Sequence, residues 1–270
     1  MARPLPPLER SLAAAYLRRL GFGEGMPATR DTLRRLHRAH LERVPFENFD
    51  IHLGVPIRLD AVASAEKVAL RSRGGFCYEL NGAFASLLAA LGFEVELREA
   101  RVSSPDGVPG RALGHACIAV RVDGEELLAD VGFGRGFDEP IRLLPDITAQ
   151  DTAGAFVLRP VADGELDLVF DGVPQNRIAP GPRELAAFAP GCAFHQSSPE
   201  SRFTQGTVCS IRTPEGRLTL SGTHLIETTA SGQDGRDLDR DAFAAVLGSR
   251  FGIAFEAAEL DRLAQAARWL

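Results

Sequence analysis

Several features are missing from this 270-residue sequence, and each absence argues against one class of protein. No apolar run approaches the roughly 20 residues that a membrane-spanning helix needs, so no membrane segment is expected. Lysine- or arginine-rich runs are absent and the net charge is −6, which argues against nucleic acid as a partner. Residues 1–7 contain no apolar core of a secretion signal. These absences predict a cytoplasmic globular protein.

Cysteine is also scarce, and its spacing argues against a disulfide scaffold. The four cysteines, at positions 77, 117, 192 and 209, lack the paired spacing of disulfide frameworks and of structural zinc sites. The protein is therefore expected to be reduced and to hold no metal. Cys117, Cys192 and Cys209 are interpreted as small buried hydrophobic residues.

The hydrophobic pattern of the first third is helical, with leucines at three- and four-residue intervals. The predicted helices cover residues 8–20, 33–41, 61–70 and 77–91. Asp60 is expected to cap the third helix, and Gly92 is expected to end the fourth, which carries an amphipathic stripe. The first part of the chain is therefore predicted to be a helical domain.

Beyond residue 92 apolar and polar residues alternate, which predicts strands. The predicted strands are 94–102, 115–122, 126–131, 155–161, 165–170, 206–212 and 217–220. Residues 171–200 are predicted to be irregular and residues 231–237 to form a loop. Helices are expected near residues 239–247 and 256–270. The pattern thus predicts an antiparallel sheet or small barrel followed by a mixed C-terminal part.

Residues 73–82, with the sequence RGGFCYELNG, place a cysteine at the start of the predicted helix. The positive end of the helix dipole favours the thiolate form of such a cysteine. The preceding glycine pair allows another chain segment or a substrate to approach closely. From this segment alone, a structural and a catalytic cysteine remain equally open.

A hairpin further along the chain supplies a base and an acid. The dipeptide Asp123-Gly124 fits a two-residue type I′ turn. With that turn, Val122 pairs with Glu125, and His115 and Asp130 become diagonal neighbours about 7–8 Å apart at Cα. The opposite face of the hairpin is apolar and is expected to pack on the core. His115 and Asp130 are therefore predicted to share the non-core face.

Cys77, His115 and Asp130 together fit a nucleophilic site. The imidazole accepts the proton of the thiol, and the carboxylate orients the imidazole and stabilises its charged form. A hydrogen-bonded His–Asp pair without a catalytic role is one alternative. A metal site that includes Cys117 is another, although it lacks the C-x₂-C spacing of structural zinc. The histidines interpreted as surface or loop residues are His37, His40 and His195.

The motif Arg73-Gly74-Gly75-Phe76-Cys77-x-Glu79-x-Asn81 resembles the active-site motif of the arylamine N-acetyltransferases. His115 lies 38 residues after Cys77, and Asp130 lies 15 residues after His115, as in the catalytic triad of that family. Three further segments resemble family motifs in the correct order. They are residues 44–50 (VPFENFD), 130–134 (DVGFG) and 198–204 (SPESRFT).

The resemblance implies an α+β fold with three domains around a papain-like Cys-His-Asp core. These would be a helical bundle over residues 1–92, an antiparallel β-barrel over 93–199 and an α/β lid over 200–270. The implied reaction moves the acetyl group of acetyl-CoA to arylamines, arylhydrazines or N-hydroxyarylamines by a ping-pong mechanism through acetyl-Cys77. Residues 171–200 lack the extra segment of vertebrate members, which makes the chain resemble bacterial enzymes of xenobiotic metabolism.

The resemblance also implies roles for further residues, with acetyl-CoA as a donor substrate and no permanently bound cofactor. The residues expected near the CoA pyrophosphate are Gly132, Gly134 and Arg135. The residues expected to line an aromatic acceptor pocket are Phe46, Phe133 and Phe203. Glu47 and Arg73 are expected to form a buried ion pair that braces the cysteine loop.

Three other functions remain open on the sequence alone. The order Cys, His, Asp is shared with papain-like proteases and transglutaminases, although no extended substrate-binding pattern supports them. A related amide synthase would close a macrolactam from a carrier-bound thioester. A non-catalytic binding protein could retain the fold. The sequence leaves the oligomeric state open.

Overall fold

A computed structural model describes residues 5–151 and 154–268 of the chain. Its helices are α1 (Arg10–Arg19), α2 (Arg30–Arg43), α3 (Phe49–Leu53), α4 (Ala61–Arg71), α5 (Cys77–Ala90), α6 (Ala189–Ser197), α7 (Arg202–Gln205), α8 (Arg240–Val246) and α9 (Ala257–Ala264). Its strands are β1 (Phe46–Glu47), β2 (Glu94–Val102), β3 (His115–Val122), β4 (Glu125–Ala129), β5 (Ile141–Arg142), β6 (Thr148–Gln150), β7 (Ala155–Pro160), β8 (Leu166–Phe170), β9 (Val173–Ile178), β10 (Val208–Thr213), β11 (Gly216–Ser221), β12 (His224–Thr229) and β13 (Gly232–Asp237). Among these residues, no helix combines the length and apolar character needed to cross a membrane.

The four predicted helices of the first part are present as α1, α2, α4 and α5, although α2 begins three residues earlier than predicted and α3 was not predicted. The side chain of Asp60 accepts hydrogen bonds from Val62 N and Ala63 N, which caps α4. Gly92 adopts a φ of +91° just beyond α5. Helix α5 differs from the expected amphipathic helix, because residues 77–88 are buried on every side. Helices α1 and α4 and strands β2 and β3 all contact α5.

The larger sheet is antiparallel, with the strand order β5-β4-β3-β2-β9-β8-β7-β6, and it curls into a nearly closed barrel. The predicted hairpin is confirmed, because Asp123 and Gly124 both have positive φ and Val122 pairs with Glu125. The prediction that the hairpin face with His115 and Cys117 lies away from any core is wrong. Since the sheet encloses that face, Cys117 packs inside the barrel with other apolar side chains in a core of its own.

The smaller sheet has the strand order β1-β10-β11-β12-β13. Its apolar face packs against α3, α8 and α9. Strand β1 comes from the first third of the chain, so the helical part and this sheet are joined by backbone hydrogen bonds. Two predictions for the chain beyond residue 170 are wrong. Residues 231–237 contain β13 instead of a loop, and the stretch 171–200 contains β9 and α6.

Three hydrophobic clusters accompany the helical part, the barrel and the smaller sheet. The clusters do not follow the chain strictly. Phe188 and Cys192 lie beyond the barrel strands in sequence, yet they pack into the cluster of the helical part. The predicted domain boundaries at residues 92 and 199 stay predictions.

Candidate active site

Cys77 is the first residue of α5 and is buried. The Phe76 N–H donates to Oε2 of Glu79 at 3.1 Å, which closes the start of this helix. A Cβ on Gly74 would lie 1.7 Å from the carbonyl oxygen of Pro45. The glycine pair therefore admits the chain's own Pro45 segment, which runs directly beside the cysteine loop.

His115 and Asp130 meet where the barrel hairpin approaches α5. Nε2 of His115 lies 2.6 Å from Oδ2 of Asp130, and both side chains are almost fully buried. Burial lowers the pKa of His115, but the charge and hydrogen bond of Asp130, with a hydrogen bond to Cys77, raise it to about 10. Because Asp130 occupies Nε2, Nδ1 is the ring nitrogen left for Cys77. The structure thus brings all three predicted residues together.

Asn81 holds the carboxylate and lies one turn after the cysteine on α5. Its Nδ2 donates to Oδ1 of Asp130 at 2.8 Å and to the carbonyl oxygen of Ala116 at 2.6 Å. Its Oδ1 accepts from the Val131 N–H at 2.9 Å. The Gly132 N–H also donates to Oδ1 of Asp130 at 3.0 Å. The sequence motif contained Asn81 without a role, although its spacing places it on the same helix face as the cysteine.

The glycine loop after Asp130 has one glycine against the cysteine and one in the open. A Cβ on Gly132 would lie 2.7 Å from Cα of Cys77, so the loop backbone contacts the start of α5. Gly134 has a φ of +82° and no described atom within 4 Å of a built Cβ. Arg135 is exposed. The expected contacts of these loop residues with CoA stay predictions.

His37 was predicted at the surface, and that prediction is wrong, since it is fully buried beneath the loop. Its Nε2 accepts from the Asp130 N–H at 3.2 Å, and its Nδ1 donates to the carbonyl oxygen of Asp138 at 3.1 Å. Burial lowers the pKa of His37, which keeps the imidazole neutral. His40 is buried as well. The apolar stripe of α2 that starts at Leu33 was the signal that could have placed both histidines inside.

Aromatic rings cluster around Phe203 and beside His115. The ring of Phe203 lies 6.0 Å from Phe46 and 5.1 Å from His195, and the ring of Phe133 lies 5.3 Å from His115, measured between centroids. The three predicted phenylalanines are all partly buried. They form two clusters, Phe203 with Phe46 and Phe133 with His115, each with an apolar ring surface.

His195 was also predicted at the surface, and the structure corrects this. The residue is partly buried between Phe203 and the strand that carries His115. Its Nε2 donates to the carbonyl oxygen of Gly114 at 3.1 Å, and its Nδ1 lies 3.3 Å from Oγ of Ser201. His195, which belongs to α6, therefore connects Ser201, just after this helix, with Gly114, the residue directly before His115.

The expected ion pair of Glu47 and Arg73 is present, with Nη2 of Arg73 at 2.8 Å from Oε1 of Glu47. It belongs to a larger charge cluster, defined as Glu47, Asp50, Lys67, Arg73 and Glu79. Nζ of Lys67 lies 2.7 Å from Oδ2 of Asp50 and 2.8 Å from Oε1 of Glu79. Lys67 is the only lysine of the sequence. The sequence prediction missed it, because a lysine in an amphipathic helix is normally exposed.

The alternative of a metal site finds no support among residues 5–151 and 154–268, where no group of three His, Cys, Asp or Glu side chains could hold an ion. Cys117, which would have belonged to that site, donates its thiol to the carbonyl oxygen of Arg98 at 3.7 Å. Burial raises the pKa of the Cys117 thiol. Cys117, Cys192 and Cys209 are buried and form no disulfide, as expected.

Known proteins share both the sequence and the fold. The sequence profile of the N-acetyltransferase family matches residues 29–260. The arylamine N-acetyltransferase of Escherichia coli K12 is 30% identical over 254 residues, which cover 90% of this chain and 89% of that protein. The arylamine N-acetyltransferase / N-hydroxyarylamine O-acetyltransferase of Salmonella typhimurium is 41% identical over 152 residues, 55% of this chain and 53% of that protein. The Mycobacterium marinum arylamine N-acetyltransferase, solved in complex with CoA, has a TM-score of 0.84 at 31% identity and covers 94% of this chain and 98% of that one.

Proposed function

Because the chain belongs to the arylamine N-acetyltransferase family, we propose that it transfers the acetyl group of acetyl-CoA to arylamines, arylhydrazines or N-hydroxyarylamines. The observation that carries the proposal is the cysteine at the start of α5 beside the buried His115–Asp130 pair. The relatives with CoA and N-hydroxyarylamine in their names support the donor and one acceptor class.

The first half-reaction charges the cysteine. The Cys77 thiolate attacks the carbonyl carbon of acetyl-CoA, and the positive end of α5 stabilises the developing negative charge. The bond between the carbonyl carbon and the CoA sulfur breaks, and the departing thiolate takes the proton of the His115 imidazolium. The raised pKa of His115 supports this step, because it keeps the proton available at neutral pH. The product is acetyl-Cys77.

The second half-reaction delivers the acetyl group to the acceptor. The amine nitrogen attacks the carbonyl carbon of acetyl-Cys77, and the neutral His115 accepts the proton that the nitrogen loses. The bond to the cysteine sulfur then breaks and restores the thiolate beside the imidazolium. Asp130 orients the imidazole throughout, since Asn81 and Gly132 fix its second oxygen.

The other predicted residues take supporting roles in this proposal. Phe46, Phe133 and Phe203 offer flat apolar walls for an aromatic acceptor. Gly132, Gly134 and Arg135 contribute to the donor site on the loop side. Glu47 and Arg73 brace the cysteine loop within the charge cluster. No described residue favours the alternative of a macrolactam-forming amide synthase.

The test is the mass of the intact protein after incubation with acetyl-CoA. We expect one acetyl group on Cys77, and its loss when an aniline is added. Cys77→Ser should gain no acetyl group, whereas Cys209→Ala, which changes a buried cysteine of the smaller sheet, should behave like the wild type. Full arylamine acetylation by Cys77→Ser would contradict the mechanism.

A further inference from the structure

Two arginines face each other across the ribbon formed by β10 and β11. Arg212 and Arg217 are direct register partners. The alternate residues of both strands pack into the core of the smaller sheet, which fixes the register and leaves both guanidinium groups on the opposite face. Like charges directly opposite each other destabilise a sheet. The direct pairing of two arginines therefore favours a negatively charged partner on this face.

The two arginines have different partners. Arg212 forms an ion pair with Asp138, at the end of the loop that begins at Asp130. Among the described residues Arg217 forms no salt bridge, and its Nη1 donates to the neutral Oγ of Ser210 at 3.2 Å. Burial and the charges of Arg212 and Arg135 lower the pKa of Arg217 to about 10, so this guanidinium stays charged at neutral pH.

Arg135 extends the cluster from the barrel side. It is exposed on the glycine loop, makes no ion pair within the described ranges, and lies close enough to Arg217 for their charges to interact. We call Arg135, Arg212 and Arg217 the arginine face. This concentration of positive charge stands out in a chain whose net charge is −6, and its chemistry suits an anion.

The arginine face is reached from the cysteine along the glycine loop. The backbone of Gly132 contacts Cys77, and Arg135 follows three residues later, which an extended chain spans in about 11 Å at most. On the ribbon side, Ser210 pairs with Phe46 of β1. CoA carries its reactive sulfur at one end of the flexible pantetheine arm and its phosphates at the other end, so this path matches its shape.

We propose that Arg212 and Arg217, together with Arg135, bind the pyrophosphate of the CoA donor. The inference rests on the proposed function and assigns its donor contacts to the β10–β11 ribbon. The planar guanidinium fork matches phosphate oxygens, and two forks side by side suit two linked phosphates better than one. The bound dianion relieves the repulsion between the two arginines, which explains why they are paired.

The test uses Arg217→Gln, because it leaves the Arg212–Asp138 ion pair in place. We expect the KM for acetyl-CoA to rise about tenfold, the effect of losing a charge-assisted hydrogen bond, with kcat unchanged within about twofold. The KM of Arg217→Lys for acetyl-CoA should lie between those of the wild type and Arg217→Gln. The same rise is expected with acetyl-dephospho-CoA, which keeps the pyrophosphate, and no rise with S-acetylpantetheine, which lacks it. Arg236→Gln removes an equal charge from the exposed strand β13 and should leave all three KM values unchanged.

An equal rise with S-acetylpantetheine, no rise with acetyl-dephospho-CoA, or the same effect in Arg236→Gln would overturn the assignment. Calorimetric titration with CoA itself separates this inference from the proposed function. A tenfold weaker binding of CoA by Arg217→Gln supports the phosphate site even if no arylamine is acetylated. Equal binding by the wild type and the variant overturns it whatever the activity.

Discussion

His115 is almost fully buried, an environment that normally keeps an imidazole neutral. Its Nε2 nevertheless lies 2.6 Å from Asp130, and the pKa rises to about 10 because the carboxylate and the cysteine outweigh the burial. A free histidine titrates near 6.5, so folding makes this residue a much stronger base. The same shift links the proton on His115 to the stability of the fold.

The first prediction follows from the sign of this shift. Below pH 6.5 both the folded and the unfolded protein hold the proton, and the contribution of His115 to stability is complete. Between pH 6.5 and about 10 only the folded form holds it, so that contribution declines as the pH rises. We expect the difference in unfolding free energy between wild type and His115→Gln to shrink across this window in a series of urea titrations. Asp130→Asn should remove the decline, and a difference that grows with pH would contradict the carboxylate as its cause.

At the scale of the element, the loop from Asp130 to Asp138 is fastened at several points. His37 binds backbone atoms at both of its ends, and Gly132 contacts the start of α5. At Gly134, by contrast, no described atom lies within 4 Å of a built Cβ. The loop therefore couples the position of the carboxylate to the position of the cysteine.

A pair of glycine substitutions separates contact from strain. In Gly132→Ala the new methyl group meets the Cα of Cys77 at 2.7 Å, so the start of α5 has to move. Displacements of about 1 Å near the reacting groups cost roughly a hundredfold in rate. Gly134→Ala is strained by its positive φ, at about 1 kcal/mol, but its methyl group meets no described atom. We expect both variants to melt earlier and only Gly132→Ala to lose kcat; equal kcat values would show that the contact does not matter.

The two buried histidines of α2 offer another comparison. His37→Phe keeps a ring beside Phe137 but leaves the Asp130 N–H and the Asp138 carbonyl unpaired, at roughly 1–3 kcal/mol each. His40→Phe removes a hydrogen bond to Tyr16 instead, away from the loop. We expect both variants to be less stable by thermal melting. At a temperature where both variants are folded, kcat should fall only for His37→Phe. Equal losses of kcat in the two variants would contradict a role of the His37 hydrogen bonds in positioning the loop.

Elements with strong local signals were predictable from the sequence. The Asp123-Gly124 turn and the Asp60 cap depend on residues within a few positions of each other, and both are found in the structure. Strand β13 was missed because all of its residues are exposed and polar, so it has no alternation to detect. It is held by its backbone ladder with β12, which a single sequence does not reveal.

At the scale of the whole molecule, the charge cluster joins elements of different origin. Lys67 belongs to α4, Glu79 to α5, Asp50 to α3 and Glu47 to β1, the strand that completes the smaller sheet. Three carboxylates and two cations are removed from water together. The cluster therefore fixes the helical part, the cysteine loop and the smaller sheet against one another.

Removal of one cation should be costly. Lys67→Met leaves three buried carboxylates with Arg73 alone, and breaking a buried ion pair costs about 3–5 kcal/mol. Arg71→Met, at the exposed end of α4, should change the unfolding free energy by about 0.5 kcal/mol or less. Urea unfolding of both variants measures these changes. If Lys67→Met lowers the unfolding free energy no more than Arg71→Met does, Lys67 contributes little to stability.

The three residues of the candidate site could be predicted because two motifs carry Cys77 and Asp130, and the Asp123-Gly124 hairpin places His115 beside Asp130. The residues that support them could not be predicted in this way. Strand β1 pairs with β10 about 160 positions later, and His195 reaches Gly114 from beyond the barrel. Such contacts form only after the parts of the chain have docked. The sequence therefore predicted the candidate reacting groups, whereas the residues that hold them in place are visible only in the structure.

Because the proposed mechanism carries an activated acetyl group on Cys77, the burial of Lys67 has a further chemical consequence. Since it is the only lysine, every other basic side chain among the 30 lysines and arginines is a guanidinium, which stays protonated and does not attack a thioester. Lys67 itself is held by carboxylates in the interior. No lysine along these 270 residues is thus available to accept acetyl groups from a neighbouring molecule or to react with amine-directed crosslinkers and dyes.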